Sequence, residues 1–191
     1  MSKAKRIDPS TFRRATILVA EGDRSLRRAL RDVLLGMGFP SIVLAGTAAE
    51  TMRRMVEQRP SVLLLDHKLP GADGLAMTRR LRRDGGDLNR LPIILMAEAP
   101  DAALVVAARD AGVHEIVVKP ISVEALVLRL MHVLHTPRPF VTGPGFIGPD
   151  RRRLGERRRR PDRRVHPVGT LDGDRRHYPG RRTGMDRRRA S

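Results

Sequence analysis

The stretch Val62-Leu63-Leu64-Leu65-Asp66-His67-Lys68-Leu69-Pro70-Gly71-Ala72-Asp73-Gly74 decides the fold. Its apolar opening has no polar alternation, as in a strand covered on both faces of a sheet. Asp66 ends that run, and a turn rich in Pro and Gly follows it. A carboxylate at the carboxyl end of a central strand stands where open α/β sheets place their sites.

Working outward, similar runs recur. Thr16 to Ala20, Ser41 to Ala45, Ser61 to Leu65, Pro92 to Ala97 and Glu115 to Val118 predict short strands. Between them the apolar residues change to helical spacing. Leu26, Leu30, Val33, Leu34 and Met37 share one face, with Arg27, Arg28 and Arg31 on the other. Comparable patterns cover 47–58, 74–84, 101–111 and 122–135. This alternation predicts an α/β fold, a doubly wound, five-stranded parallel sheet of the flavodoxin-like kind.

Composition bounds the chemistry. The chain has 191 residues, no Cys and a net charge of +17, which excludes disulfide scaffolds and thiol catalysis. No apolar run reaches the ~18–20 residues of a membrane-spanning helix. The apolar stretch Ile17 to Ala20 is too short for a signal peptide, so a cytoplasmic protein is expected. The charge is unevenly spread: residues 1–15 carry +4, residues 16–135 carry +2, and residues 136–191 carry +11. The chain therefore divides into a basic N-terminal extension (1–15), a near-neutral domain (16–135), a Pro/Gly linker (136–149) and an Arg-rich tail (150–191). From 148 to 191 only seven residues are apolar, which predicts a disordered segment.

Four strand ends carry polar residues that can converge. Glu21, Gly22 and Asp23 follow the first strand and Asp66 ends the third. Ala97 and Glu98 end the fourth, and Lys119-Pro120 follows the fifth. A carboxylate beside a second acid and a lysine suits phosphoryl acceptance, with the carboxylate as nucleophile and the lysine compensating the transferring charge. Asp23 is expected to point away from the pocket, and His67 reads as a loop residue. His132 and His135 lack ligand partners at metal spacing, so zinc is not expected.

Ile17-Leu18-Val19, the stretch Leu65 to Gly74, and Val117-Val118-Lys119-Pro120 together resemble the receiver domain of bacterial response regulators, of the chemotaxis-regulator type. The resemblance covers about residues 16–135. It implies Asp66 as phosphoacceptor, Lys119 as the phosphate-contacting lysine, and a cis Lys119-Pro120 peptide. Glu21, Asp66 and the backbone carbonyl of Lys68 are the implied Mg2+ ligands. A sensor histidine kinase or phosphotransfer protein is the implied partner, and the protein itself is not expected to be an enzyme. This chain also departs from the family pattern. Gly22 replaces the second acid, so Mg2+ binding should be weak or absent. Ala97 replaces a Ser or Thr, and Ile116 an aromatic, leaving both switch positions degenerate.

Two readings follow. One is a stand-alone receiver phosphorylated on Asp66 within a two-component or phosphorelay pathway. The other is a phosphorylation-independent pseudo-receiver adaptor whose tail binds polyanions or acidic partners. In the tail, Asp-Arg-Arg recurs at 150–152, 162–164, 174–176 and 186–188, every 12 residues. Polyanion contacts there would fall to Arg151, Arg152, Arg163, Arg164, Arg175, Arg176, Arg187 and Arg188. With a single Tyr and no Trp, base stacking is poorly served, so binding to nucleic acid would be non-specific.

Overall fold

A computed structural model of the chain describes residues 14–151, apart from 85 and 144. The tail arginines Arg152, Arg163, Arg164, Arg175, Arg176, Arg187 and Arg188, and the basic extension over 1–13, lie outside the described residues.

Strands β1 (Thr16–Ala20), β2 (Ser41–Ala45), β3 (Val62–Asp66), β4 (Ile93–Glu98) and β5 (Glu115–Lys119) form one sheet in the order β2-β1-β3-β4-β5. Every pairing is parallel. Helices α1 (Arg24–Gly36), α2 (Ala48–Gln58), α3 (Gly74–Arg83), α4 (Ala102–Ala111) and α5 (Val123–His135) connect the strands, with a short 3-10 turn at Asp87–Arg90.

Alternate strand residues supply two cores. Leu18, Leu63, Leu65, Ile93 and Leu95 pack with Met55 of α2, Leu81 of α3 and Ala108 of α4. Ile17, Val19, Leu64, Ile94 and Met96 face the other way, onto Leu30 and Leu34 of α1 and Leu126 and Leu130 of α5. All five residues of β3 are buried, which accounts for its unbroken hydrophobicity.

Each helix begins on a short polar side chain. Asp23, Thr47, Asp73, Asp101 and Ser122 accept hydrogen bonds from the amides of Leu26, Glu50, Ala76, Leu104 and Ala125. Each such cap contributes about 1 kcal/mol. At the other end, α4 stops at Gly112, whose φ of 91° is the left-handed conformation that glycine adopts without a side-chain clash.

The segment expected as a linker is instead structured. β6 (Phe140–Gly143) and β7 (Phe146–Pro149) form an antiparallel hairpin, and Asp150 N donates to Pro139 O at 2.7 Å. The expectation failed because Gly and Pro weaken intrinsic strand preference, whereas this hairpin is fixed by what it packs on. Phe140 lies beneath the Arg82 guanidinium, 5.5 Å from its ring centroid, and 6.2 Å from the His114 ring. Arg151 stacks 3.6 Å from the Phe146 centroid and pairs with Asp110 at 3.3 Å.

Beneath the hairpin lies a buried polar cluster. Arg82 is 2% exposed and donates to the carbonyls of Asn89, Leu91 and Gly112. His114 Nδ1 accepts from the Ile93 amide at 3.2 Å, which assigns its proton to Nε2. Burial, reinforced by the positive charges of Arg82 and Arg138, pushes the His114 pKa down to about 3. The sign follows from linkage. His114 stays neutral in the folded chain but gains a proton when unfolded below its ordinary value of 6.5. Its contribution is therefore fully present above pH 6.5 and is lost as pH falls toward 3. His114→Gln should remove about 1.4 kcal/mol per pH unit from the acid-side slope of stability. Urea unfolding at several pH values checks this, and an unchanged slope would contradict it.

Candidate functional site

The chain passes from β1 outward to β2 and then returns to β3 on the far side of β1. The ends of β1 and β3 therefore meet at the switch point where the crossovers diverge. Glu21 follows β1 and Asp66 ends β3; they are 2% and 6% exposed. Lys119, at the end of β5, reaches both. Its Nζ lies 2.9 Å from Asp66 Oδ1 as a hydrogen bond and 2.7 Å from Glu21 Oε2 as an ion pair. The Glu21 oxygen is close to the ammonium but makes no aligned hydrogen bond. Burial alone would lower the Lys119 pKa. The Glu21 and Asp66 carboxylates more than offset this, and it stands above its ordinary 10.5. The Lys119-Pro120 peptide is cis.

The two oxygens of Asp66 are unequal. Oδ1 takes both recorded hydrogen bonds, from Lys119 and, at 3.3 Å, from the Lys68 amide. Among the described residues Oδ2 has no hydrogen-bond partner, so it is the oxygen left for attack on an electrophile. At the rim, Lys68 Nζ lies 3.4 Å from Glu98 Oε2.

Position 22 brings no second acid to the pocket. Glu21 Oε1 already accepts from the Asp23 amide at 2.9 Å, and Oε2 is engaged with Lys119. Asp23 is occupied as the cap of α1. At Gly22 a Cβ would fall 2.7 Å from Cδ of Pro70, so the proline ring fills the space where a side chain would begin. The Lys68 amide donates to Asp66 Oδ1 at 3.3 Å. Among the described residues no group of three or more His, Cys, Asp or Glu could hold a metal ion. Glu21 and Asp66 are therefore the acids at this pocket that could hold a divalent cation.

Positions 97 and 116 are both apolar and packed into the domain. Ala97 is 1% exposed, and Ile116 packs against the core that includes α3 and α4. Neither offers a hydroxyl or an aromatic ring. Met96 is core, whereas Val105 and Val106 are each 46% exposed. His67 Nε2 lies 3.2 Å from Asp73 Oδ2 and braces the turn. Gly71 has a φ of 92°, while Gly74 answers to space, since a Cβ there would lie 2.5 Å from Asp66 O.

Sequence reading missed two residues. Arg27 Nη1 donates to the carbonyls of Glu21 and Gly22, fastening the loop that presents Glu21. Arg27 shares the polar face of α1 with Arg28 and Arg31, and no local signal marks it. Pro70 excludes a side chain at position 22, a contact visible only in three dimensions.

A parallel sheet with an acid–lysine–acid cluster at its switch point defines the class. Residues 17–131 match the response regulator receiver domain, and the chain belongs to that family. Receiver domains are generally non-enzymatic modules of two-component signalling. They interact with histidine kinases or phosphotransfer proteins and typically bind Mg2+ at their acidic pocket.

Among relatives, the chain is 35% identical over 123 residues to response regulator MprA of Mycobacterium avium (strain 104), covering 64% of this chain and 52% of that protein. MprA of Mycobacterium tuberculosis (strain ATCC 25618 / H37Rv) gives the same figures. The chain thus spans about half the length of these curated relatives. Chemotaxis response regulator CheY4 of Vibrio cholerae shares the fold, with a TM-score of 0.58 at 21% identity, over 63% of this chain and 98% of that one. Among the described residues no helix is long and apolar enough to cross a membrane.

Proposed function

We propose that this receiver accepts a phosphoryl group on Asp66 from the phosphohistidine of a kinase or phosphotransfer protein. The observation that carries this reading is the asymmetric Asp66 carboxylate, with Oδ1 anchored by Lys119 and Oδ2 without a partner among the described residues. Oδ2 attacks phosphorus, the P–N bond breaks, and the imidazole leaves with the bonding pair. The product is an acyl phosphate on Asp66. Lys119 sits beside the acceptor and compensates the incoming negative charge.

The incomplete acid set leaves this compensation to Lys119, and Mg2+ binding is correspondingly weak. Ala97 and Ile116 provide no hydroxyl-and-aromatic relay, so the phosphorylated state is read at the loops around Asp66 or on the surface of α4 and α5.

Incubating the full chain with acetyl phosphate, with and without Mg2+, tests the reading. Intact mass should rise by one phosphoryl group in wild type and remain unchanged in Asp66→Asn. Equal labelling of both proteins, or of neither, would overturn it.

A further inference from the structure

A second charged region lies at the other end of the sheet. Asp66 and Lys119 close the carboxyl ends of their strands, whereas α3 and α4 run back toward the amino ends. There, a cleft of about 380 Å³ opens between these helices and the β6–β7 hairpin. Arg79, Arg82 and Arg83 line it from α3, Asp110 from α4, and Phe146 and Ile147 from the hairpin.

The charges are unbalanced. Arg82 is buried, with its donors directed to backbone carbonyls. Asp110, the lone acid of the lining, is already paired with Arg151 and Arg109, each at 3.3 Å. Arg79 and Arg83 are exposed and have no acidic partner among the described residues.

We propose that this cleft binds the phosphate backbone of a nucleic acid, with Arg79 and Arg83 as its ligands. Four observations select that occupant. The lining cations are all guanidinium groups, which bind phosphate oxygens in bidentate fashion. Residues 136–191 contain 17 Arg and no Lys, so the same chemistry continues along the chain. The described chain ends at Arg151, on the cleft's own hairpin, so the Arg-rich segment starts at this surface. Finally, Phe146, the aromatic side chain of the lining, is restricted as a stacking platform. Arg151 covers one side of its ring, and Gly148 abuts the ring edge, so a Cβ there would fall 2.7 Å from Cζ. Recognition is therefore through the backbone and independent of base identity.

Fluorescence anisotropy of a labelled single-stranded oligothymidine titrated with full-length protein tests this. Arg79→Glu/Arg83→Glu should weaken binding about tenfold and reduce the salt slope by about 1.4, the contribution of two phosphate contacts. The control is Arg24→Glu/Arg28→Glu, an equal charge change on exposed α1 residues, which should stay within about twofold of wild type. Equal losses in both variants would show a general charge effect and overturn the proposal, as would unchanged binding in the cleft variant. If the cleft variant retains oligothymidine binding but loses binding to phosphatidylserine vesicles, the occupant is a membrane surface and the proposal fails. Matched thermal midpoints establish folding, and Arg79→Gln/Arg83→Gln replaces the charge reversal if they differ. Acetyl phosphate labelling is read separately, so failure at this cleft leaves the Asp66 reading standing.

Discussion

Replacing Lys119 by methionine should destabilise the protein by about 3 kcal/mol at neutral pH and abolish phosphoryl acceptance. The ammonium lies within 2.7 Å and 2.9 Å of two buried carboxylates, which would otherwise face each other with like charge. Methionine conserves much of the side-chain volume, so the loss reports charge. The pH dependence separates the two. In the variant the two buried carboxylates face each other uncompensated, a repulsion that protonation of either one relieves, so its deficit shrinks as pH falls. In wild type the Lys119 contribution is fully present below 10.5 and is lost only as pH rises through the elevated folded value. Urea unfolding of both proteins at neutral and mildly acidic pH measures this. A deficit independent of pH would assign the loss to packing.

Arg82→Met should cost about 3 kcal/mol or more. Arg82 Nε and Nη2 reach Gly112 O at 3.1 Å and 2.9 Å, Nη1 reaches Asn89 O at 2.8 Å, and Nη2 reaches Leu91 O at 3.0 Å. Methionine fills the space but leaves three carbonyls short of a donor, and Phe140 keeps only Arg90 of the two guanidinium groups over its ring. Burial lowers the Arg82 pKa to about 10, so the group remains charged at neutral pH. Arg82→Lys should recover only part of the loss, because a single ammonium cannot span three separate acceptors. Hydrogen exchange in the methionine variant should rise first in β6 and β7. A loss below about 1 kcal/mol would show that water replaces the guanidinium.

The five parallel strands were legible because burial on both faces left continuous apolar runs, as in Val62 to Leu65. The acid–lysine cluster was legible because topology alone brings the ends of β1, β3 and β5 to one edge of the sheet. The hairpin was not, since Phe140, Phe146 and Ile147 are held by contacts with the domain and not by local strand preference. Arg82 left a faint trace that was passed over. It shares a helical face with Leu75 and Thr78, both buried, so a charge at that spacing called for a buried partner. The closure of position 22 by Pro70 joins residues far apart in the chain, which no periodicity encodes.

The contact between Gly112 and Gly148 bears on how such a hairpin is acquired. A Cβ on Gly148 would lie 2.9 Å from Gly112 Cα, and a Cβ on Gly112 would meet Ile147 O at the same distance. Yet Gly112 also ends α4 in the left-handed conformation, a requirement of the receiver that is independent of the hairpin. The gap left by that helix terminus is thus a preformed berth. A residue without a side chain at position 148 is what lets the hairpin close against it.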